Sequence, residues 1–201
     1  MMRSLVQRWR ARWLAVLPGM AAGLLLVAGT PVHAEDADNQ HFAVRTAYTE
    51  LIGGVYYLDA DVEYNLTDEA LDALQNSVPL HIEMQIEIIH VRSWWFNETV
   101  ASLTQGYELR YHPLSQLYIV RNLNSGQQQT FTNYRSAILK LGQVTDLPVI
   151  DASLLDPEGE YRIRMRSVLD VKDYPAPLRL FASLWSDWQL SSDWYEWTLR
   201  S

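Results

Sequence analysis

The stretch LHIEMQIEIIHV, Leu80 to Val91, limits what this chain can fold into more than any other segment. Leu80, Ile82, Met84, Ile86 and Ile88 alternate with His81, Glu83, Gln85 and Glu87, so apolar residues recur every second position. That repeat sorts the two sets onto opposite faces of a strand, whereas a helix would scatter them. A strand with one apolar and one wet face belongs to an antiparallel sheet covered on one side.

The same period runs through much of the chain. Phe42 to Tyr48 reads as a strand, and Gly53-Gly54 as a hairpin turn into a second strand from Val55 to Glu63. Further strands are expected at Thr99 to Leu103, Tyr107 to Tyr111 and Leu117 to Asn122. Asn124-Ser125-Gly126 then forms a turn into Gln128 to Phe131. Tyr161 to Ser167 continues the pattern, with Arg162, Arg164 and Arg166 on its polar face. Two short helices interrupt the strands. One spans Asp68 to Gln75, with Thr67 as N-cap, Leu66 and Leu71 as a hydrophobic staple, and Pro79 as its stop. The other runs from Tyr134 to Leu141 and ends at Gly142. A helical turn is expected around Leu178 to Trp185, and the tryptophan-rich end forms the last strand.

Eight or nine short strands with two or three small helices make an all-β fold, an antiparallel β-sandwich or a partly open barrel. Two charged rows sharpen this picture. Glu83 and Glu87 stand on the wet face of one strand and the three arginines on that of another; side by side they form a cross-strand ladder. The functional alternative is an anion or peptide site built from the same arginines.

Residues 1–34 read as a targeting segment. Arg3, Arg8, Arg10 and Arg12 precede a charge-free apolar run, Trp13 to Gly29, and Val32-His33-Ala34 puts small residues at the −3 and −1 positions of a cleavage site. Two outcomes stay open: a cleaved signal, or an uncleaved anchor through residues 13–29 facing the periplasm. Residues 35–201 then form one β-rich periplasmic domain. With 24 acidic and 12 basic residues in this part, its net charge of −12 repels nucleic acid and anionic lipid. It has no cysteine, so the packed core has to hold the fold without disulfides.

Chemical motifs are sparse. His41, His81, His90 and His112 show no metal-ligand spacing, and no nucleophile elbow is present, so neither a metal nor another cofactor is expected. Asp59 with Asp61, and Asp187 with Asp193, are the acidic pairs that glycoside chemistry would need. Aromatic residues are the stronger signal. In SLWSDWQLSSDWYEWTL, Trp188, Leu190 and Trp194 share one strand parity while Tyr195, Trp197 and Leu199 share the other. Both faces are therefore expected to be covered, with most of these rings in the core and a bulge at Ser191-Ser192 shifting the parity. Trp94-Trp95-Phe96 differs, because three adjacent aromatics in a connection cannot all point inward. That triplet is the best candidate for an exposed recognition patch or a membrane-touching tip.

The segments WWFNETVASLTQGYELRYHPLSQLYIVRNLNSG, YRIRMRSVLD, LPVID and SSDWYEWTL resemble a proteobacterial family of exported proteins, domain of unknown function 4390. The resemblance runs from about His41 to Leu199. It implies a signal-bearing envelope protein of Gram-negative bacteria and carries no reaction, ligand or catalytic residue with it. The placement of family members beside a membrane sensor kinase of the nitrogen-regulation type implies a signalling partner.

The expectation is a non-enzymatic periplasmic module that binds an envelope protein or peptide. Trp94, Trp95 and Phe96 are its first-choice contact residues, and Arg162, Arg164 and Arg166 its second. The alternative is a cell-wall carbohydrate-binding or glycoside-active protein using tryptophan faces and an acidic pair.

Overall fold

The computed structural model describes residues 41–92, 94, 96–170 and 190–200. In chain order they form β1 (Phe42–Ile52), β2 (Val55–Tyr64), α1 (Asp68–Gln75), β3 (Leu80–Val91), β4 (Glu98–His112), β5 (Leu117–Asn122), β6 (Gln128–Phe131), α2 (Tyr134–Gly142), β7 (Gln143–Asp151), β8 (Glu160–Asp170) and β9 (Tyr195–Thr198). A single 3-10 turn, Ala152–Leu154, follows β7. Two antiparallel sheets result. One has the order β1-β2-β7, the other β6-β5-β4-β3-β8-β9. They do not close into a barrel; the protein is a β-sandwich, as the alternation in the sequence predicts.

The core lies between the sheets. Leu80, Ile82, Met84, Ile86 and Ile88 point inward from β3, meeting Tyr56, Leu58, Ala60, Val62 and Tyr64 of β2. Ile163 and Met165 of β8 complete the floor. One polar contact crosses this interior: the Tyr64 hydroxyl and Ser167 Oγ lie 2.9 Å apart, both buried. Burial raises the Tyr64 phenol well above its usual range, against the smaller opposing effect of the Ser167 hydrogen bond.

Both helices begin as their caps dictate. Thr67 Oγ1 accepts from Ala70 N, and Asn133 Oδ1 accepts from Ser136 N. α2 ends tightly against β2, because a side chain at Gly142 would meet the Val62 carbonyl oxygen at 2.0 Å. Only glycine fits that crossing.

Three expectations need correction. Thr99 to Leu103 and Tyr107 to Tyr111 are one strand, because Gly106 does not break β4: Asn124 grips the strand there, accepting from Gly106 N at 2.7 Å and donating to Thr104 O at 3.0 Å. β7 was not expected. Pro148 and the left-handed Asp146 (φ 52°) look like loop residues, yet β7 is an outer strand with register shifts at both places, where neither is excluded. The tail is also less of a strand than its tryptophans suggest. Ser191 makes an isolated bridge to Val168, and β9 covers four residues. Leu178 to Trp185, Trp188 and the targeting segment lie outside the described residues.

The parity shift near Ser191-Ser192 is present. Leu190 and Ser192 are buried, whereas four residues on it is the odd positions Tyr195, Trp197 and Leu199 that turn inward. Trp194 therefore leaves the core, contrary to the core reading, and lies on the outer face of the larger sheet.

Candidate functional site

The two predicted residue sets occupy different places. The arginines line the outer face of the larger sheet, where β8 pairs with β3 and β9. Arg164 donates from Nε and Nη2 to Glu87 Oε2 at 2.8 and 2.6 Å, so the expected ladder forms at that rung. Arg162 reaches Glu196 at 2.9 Å instead, and Arg166 donates to the carboxamide oxygen of Gln85 at 2.9 Å. Trp194 covers the row, with the Arg164 and Arg166 guanidinium carbons 4.4 and 4.6 Å from its ring centroid. These cations are engaged in holding the sheet's outer face together.

The aromatic triplet behaves differently. Trp94 is 92% exposed and Phe96 95%, on the short connection between β3 and β4; Trp95 lies outside the described residues. The connection is tied down nonetheless. Arg92 N donates to Asn97 Oδ1 at 3.3 Å, and the Arg92 guanidinium pairs with Glu98.

Two more connections share this end of the sandwich. Val91 pairs with Glu160, which brings the β7–β8 connection alongside, and Ala152 N donates to Gly54 O at 2.8 Å, which joins the β1–β2 hairpin to it. Leu154 on the first is 75% exposed and Ile52 on the second 53%. The β7–β8 connection is held by its own side chains: Asp151 accepts from Ser153 N and Oγ at 2.8 and 2.7 Å, and Asp156 N donates to the Tyr161 hydroxyl at 3.0 Å. The Ser153 hydroxyl and amide hold the Asp151 carboxyl below its ordinary range. Asp151, Asp156, Glu158 and Glu160, on or next to the connection that carries Leu154, are all exposed. One end of the molecule thus combines exposed apolar side chains with a cluster of acidic residues in sequence, an acidic collar for the apolar tip.

Recesses open at several places among the described residues. A cleft of about 570 Å³ lies between β2 and α2 and includes Tyr134, whose phenol burial pushes up to about 12. A smaller recess of about 300 Å³ sits between β1 and β9, with Trp197 Nε1 donating to Thr49 Oγ1 at 3.3 Å.

The third recess, about 620 Å³, opens where the larger sheet extends past β7. Six carboxamides line it: Gln105, Asn122, Asn124, Gln127, Gln129 and Gln143. Three of these, Gln105, Asn122 and Gln129, take inward positions in β4, β5 and β6, in line with Leu109 and Val120 of the core. Asn122 and Asn124 are occupied in the β5–β6 turn, where Asn122 Oδ1 accepts from Asn124 N and Ser125 N at 2.9 Å. Gln105 is only 9% exposed, with its amide end turned into the recess. Sequence reasoning missed this site. The signal was there in Leu103, Gln105, Tyr107 and Leu109, an inward parity with one amide among apolar and aromatic neighbours.

Asp187 lies outside the described residues; among the described ones, Asp61 lines the cleft beside α2 with no tryptophan, and the Trp197 recess has no carboxylate. Among the described residues no group of three histidine or acidic side chains is placed to hold a metal ion, and no helix is long and apolar enough to cross a membrane.

No curated protein and no solved structure matches the chain. Residues 39–198 match the model of the domain of unknown function DUF4390, so the chain belongs to that family.

Proposed function

We propose that this protein is a non-enzymatic interaction module of the Gram-negative envelope, exported to the periplasm, which docks on another envelope protein through its apolar tip. The observation that carries the proposal is the near-complete exposure of Trp94 and Phe96 on a pinned connection, beside Ile52 and Leu154. Burying a large apolar side chain contributes roughly 1.5–3 kcal/mol, so four such side chains left in water at one end are a strong driving force for association. The acidic collar chooses between occupants: it repels an anionic bilayer surface and fits a protein whose apolar groove has a basic rim. Support for export comes from the Arg-rich start, the apolar run Trp13 to Gly29 and the Val32-His33-Ala34 cleavage pattern. The membrane sensor kinase implied by the family resemblance is a partner of suitable topology.

Photo-crosslinking from position 94 in intact cells tests this reading. One dominant protein adduct is expected, falling several-fold when Phe96→Ser and Leu154→Ser are introduced into a chain that still folds. Unchanged recovery from the folded variant discards the docking assignment, and adducts to lipid alone assign the tip to a bilayer. No observation favours the carbohydrate reading, since no described recess combines a tryptophan face with a carboxylate pair.

A further inference from the structure

The carboxamide cleft is a second site, on the open side of the sandwich and independent of the apolar tip. Its walls have different characters. One is the inner face of β4, β5 and β6, where Gln105, Asn122 and Gln129 replace the apolar residues that a sandwich interior ordinarily holds. Gln105, only 9% exposed as a residue, turns its amide end into the cleft, where a ligand can reach it. The other wall is β7. Six consecutive residues, 143–148, line the cleft. Neighbouring side chains of a strand point to opposite faces, so a continuous run lines one recess only when the strand presents its edge to it. β7 is the outermost strand of its sheet, and its main-chain groups on that side meet no strand among the described residues.

Charge and shape narrow the ligand. Among the described residues Lys140 and Asp146 are the only ionic groups on the lining, one of each sign, so these make no net demand for charge. No tryptophan among the described residues lines it, and the one described aromatic, Tyr107, has its hydroxyl engaged by Asn122. A sugar ring would find no stacking face. Carboxamides offer a donor and an acceptor side by side, which is the pattern of a peptide main chain.

We infer that this cleft binds an extended, uncharged peptide segment, which lies along the edge of β7 beside Gln143 and is gripped from the opposite wall by Gln105, Gln127 and Gln129. Gln105 supplies the buried end of the grip. Pro148 lacks an N–H and the register shifts at Thr145-Asp146 interrupt the edge, so pairing is confined to a few residues and a whole second sheet cannot add.

The test uses the ¹⁵N-labelled full chain and follows the side-chain amide resonances of Gln105, Gln129 and Gln143 together with the main-chain amides of 143–148. The probe is an equimolar pool of blocked pentapeptides built from Thr, Val, Ser and Gln. The expected result is a saturable shift of both sets that disappears when the same pool is N-methylated at alternate residues. Gln105→Leu is expected to weaken binding roughly tenfold in a chain that still folds. If Gln105→Leu does not fold, Gln129→Leu, at an exposed position, is expected to weaken binding in the same direction. The inference is overturned by no shift, by equal shifts with the N-methylated pool, or by a cello-oligosaccharide moving the same amides while the peptides do not. Because the readouts are confined to the cleft, failure here leaves the crosslinking test of the apolar tip unaffected.

Discussion

Arg164 has two neighbours competing for its guanidinium, the Glu87 carboxylate in the sheet plane and the Trp194 ring above it. Both side chains of the ion pair are partly exposed, at 33% and 26%, so solvent screens the attraction. A double-mutant cycle on Glu87→Gln and Arg164→Met is expected to give a coupling of roughly 0.5–1 kcal/mol, read from urea unfolding and shrinking as salt is added. Tyr64 is a buried counterpart. Its folded pKa is raised above the unfolded value near 10, so the stability it contributes is fully present below pH 10 and is lost as pH rises toward the folded value. Tyr64→Phe removes the titration and the bond to Ser167. The variant is expected to be about 1 kcal/mol less stable than the natural chain at pH 7, with that gap closing above pH 10. At this scale the sequence was readable wherever parity decided the matter. Glu87 opposite Arg164 follows from two alternating patterns, whereas Gln105 needed a register, because an amide on a strand looks the same whether its face is wet or walled in.

Among the elements, α1 was legible to the residue because its cap, staple and stop are all local: Thr67 starts it and Pro79 prevents its continuation. α2 was as clear, and its last residue does more than end it. Gly142→Ala would drive a methyl into the Val62 carbonyl and is expected to destabilise the fold by roughly 1–3 kcal/mol, measured by denaturant midpoint. Asn133→Ala, which removes only the cap, is expected to cost about 1 kcal/mol. The comparison separates a tertiary constraint from a local one. β7 was illegible for the converse reason. Its proline and left-handed aspartate are poor strand residues in isolation, and only its position at the rim of a sheet admits them. The end of the chain misled for a third reason: aromatic residues signal burial, but at Trp194 the cover is provided by two arginines on the outside of the sheet.

For the whole molecule, the apolar tip is separable from the fold. Trp94→Ser with Phe96→Ser removes little buried area, so thermal unfolding is expected to shift by no more than about 0.5 kcal/mol in stability. A large drop in stability would mean the rings are covered in solution. The sandwich itself was visible in the spacing of its strands, and the opposed charges of β3 and β8 pointed to their pairing. The division into sheets of three and six was not visible, since β7 escaped notice and nothing local assigns β1 and β2 to a separate sheet. The pairing of β3 with β8 has a kinetic consequence. β3 sits inside the larger sheet, and one of its two flanks stays unsatisfied until the chain has been made through Asp170. Contacts so remote in sequence close slowly, on the millisecond-to-second scale typical of such topologies. A ribosome-bound or translocating chain that stops short of Glu160 therefore carries a long, apolar, half-zippered hairpin, and quality control in the cell has that species to recognise.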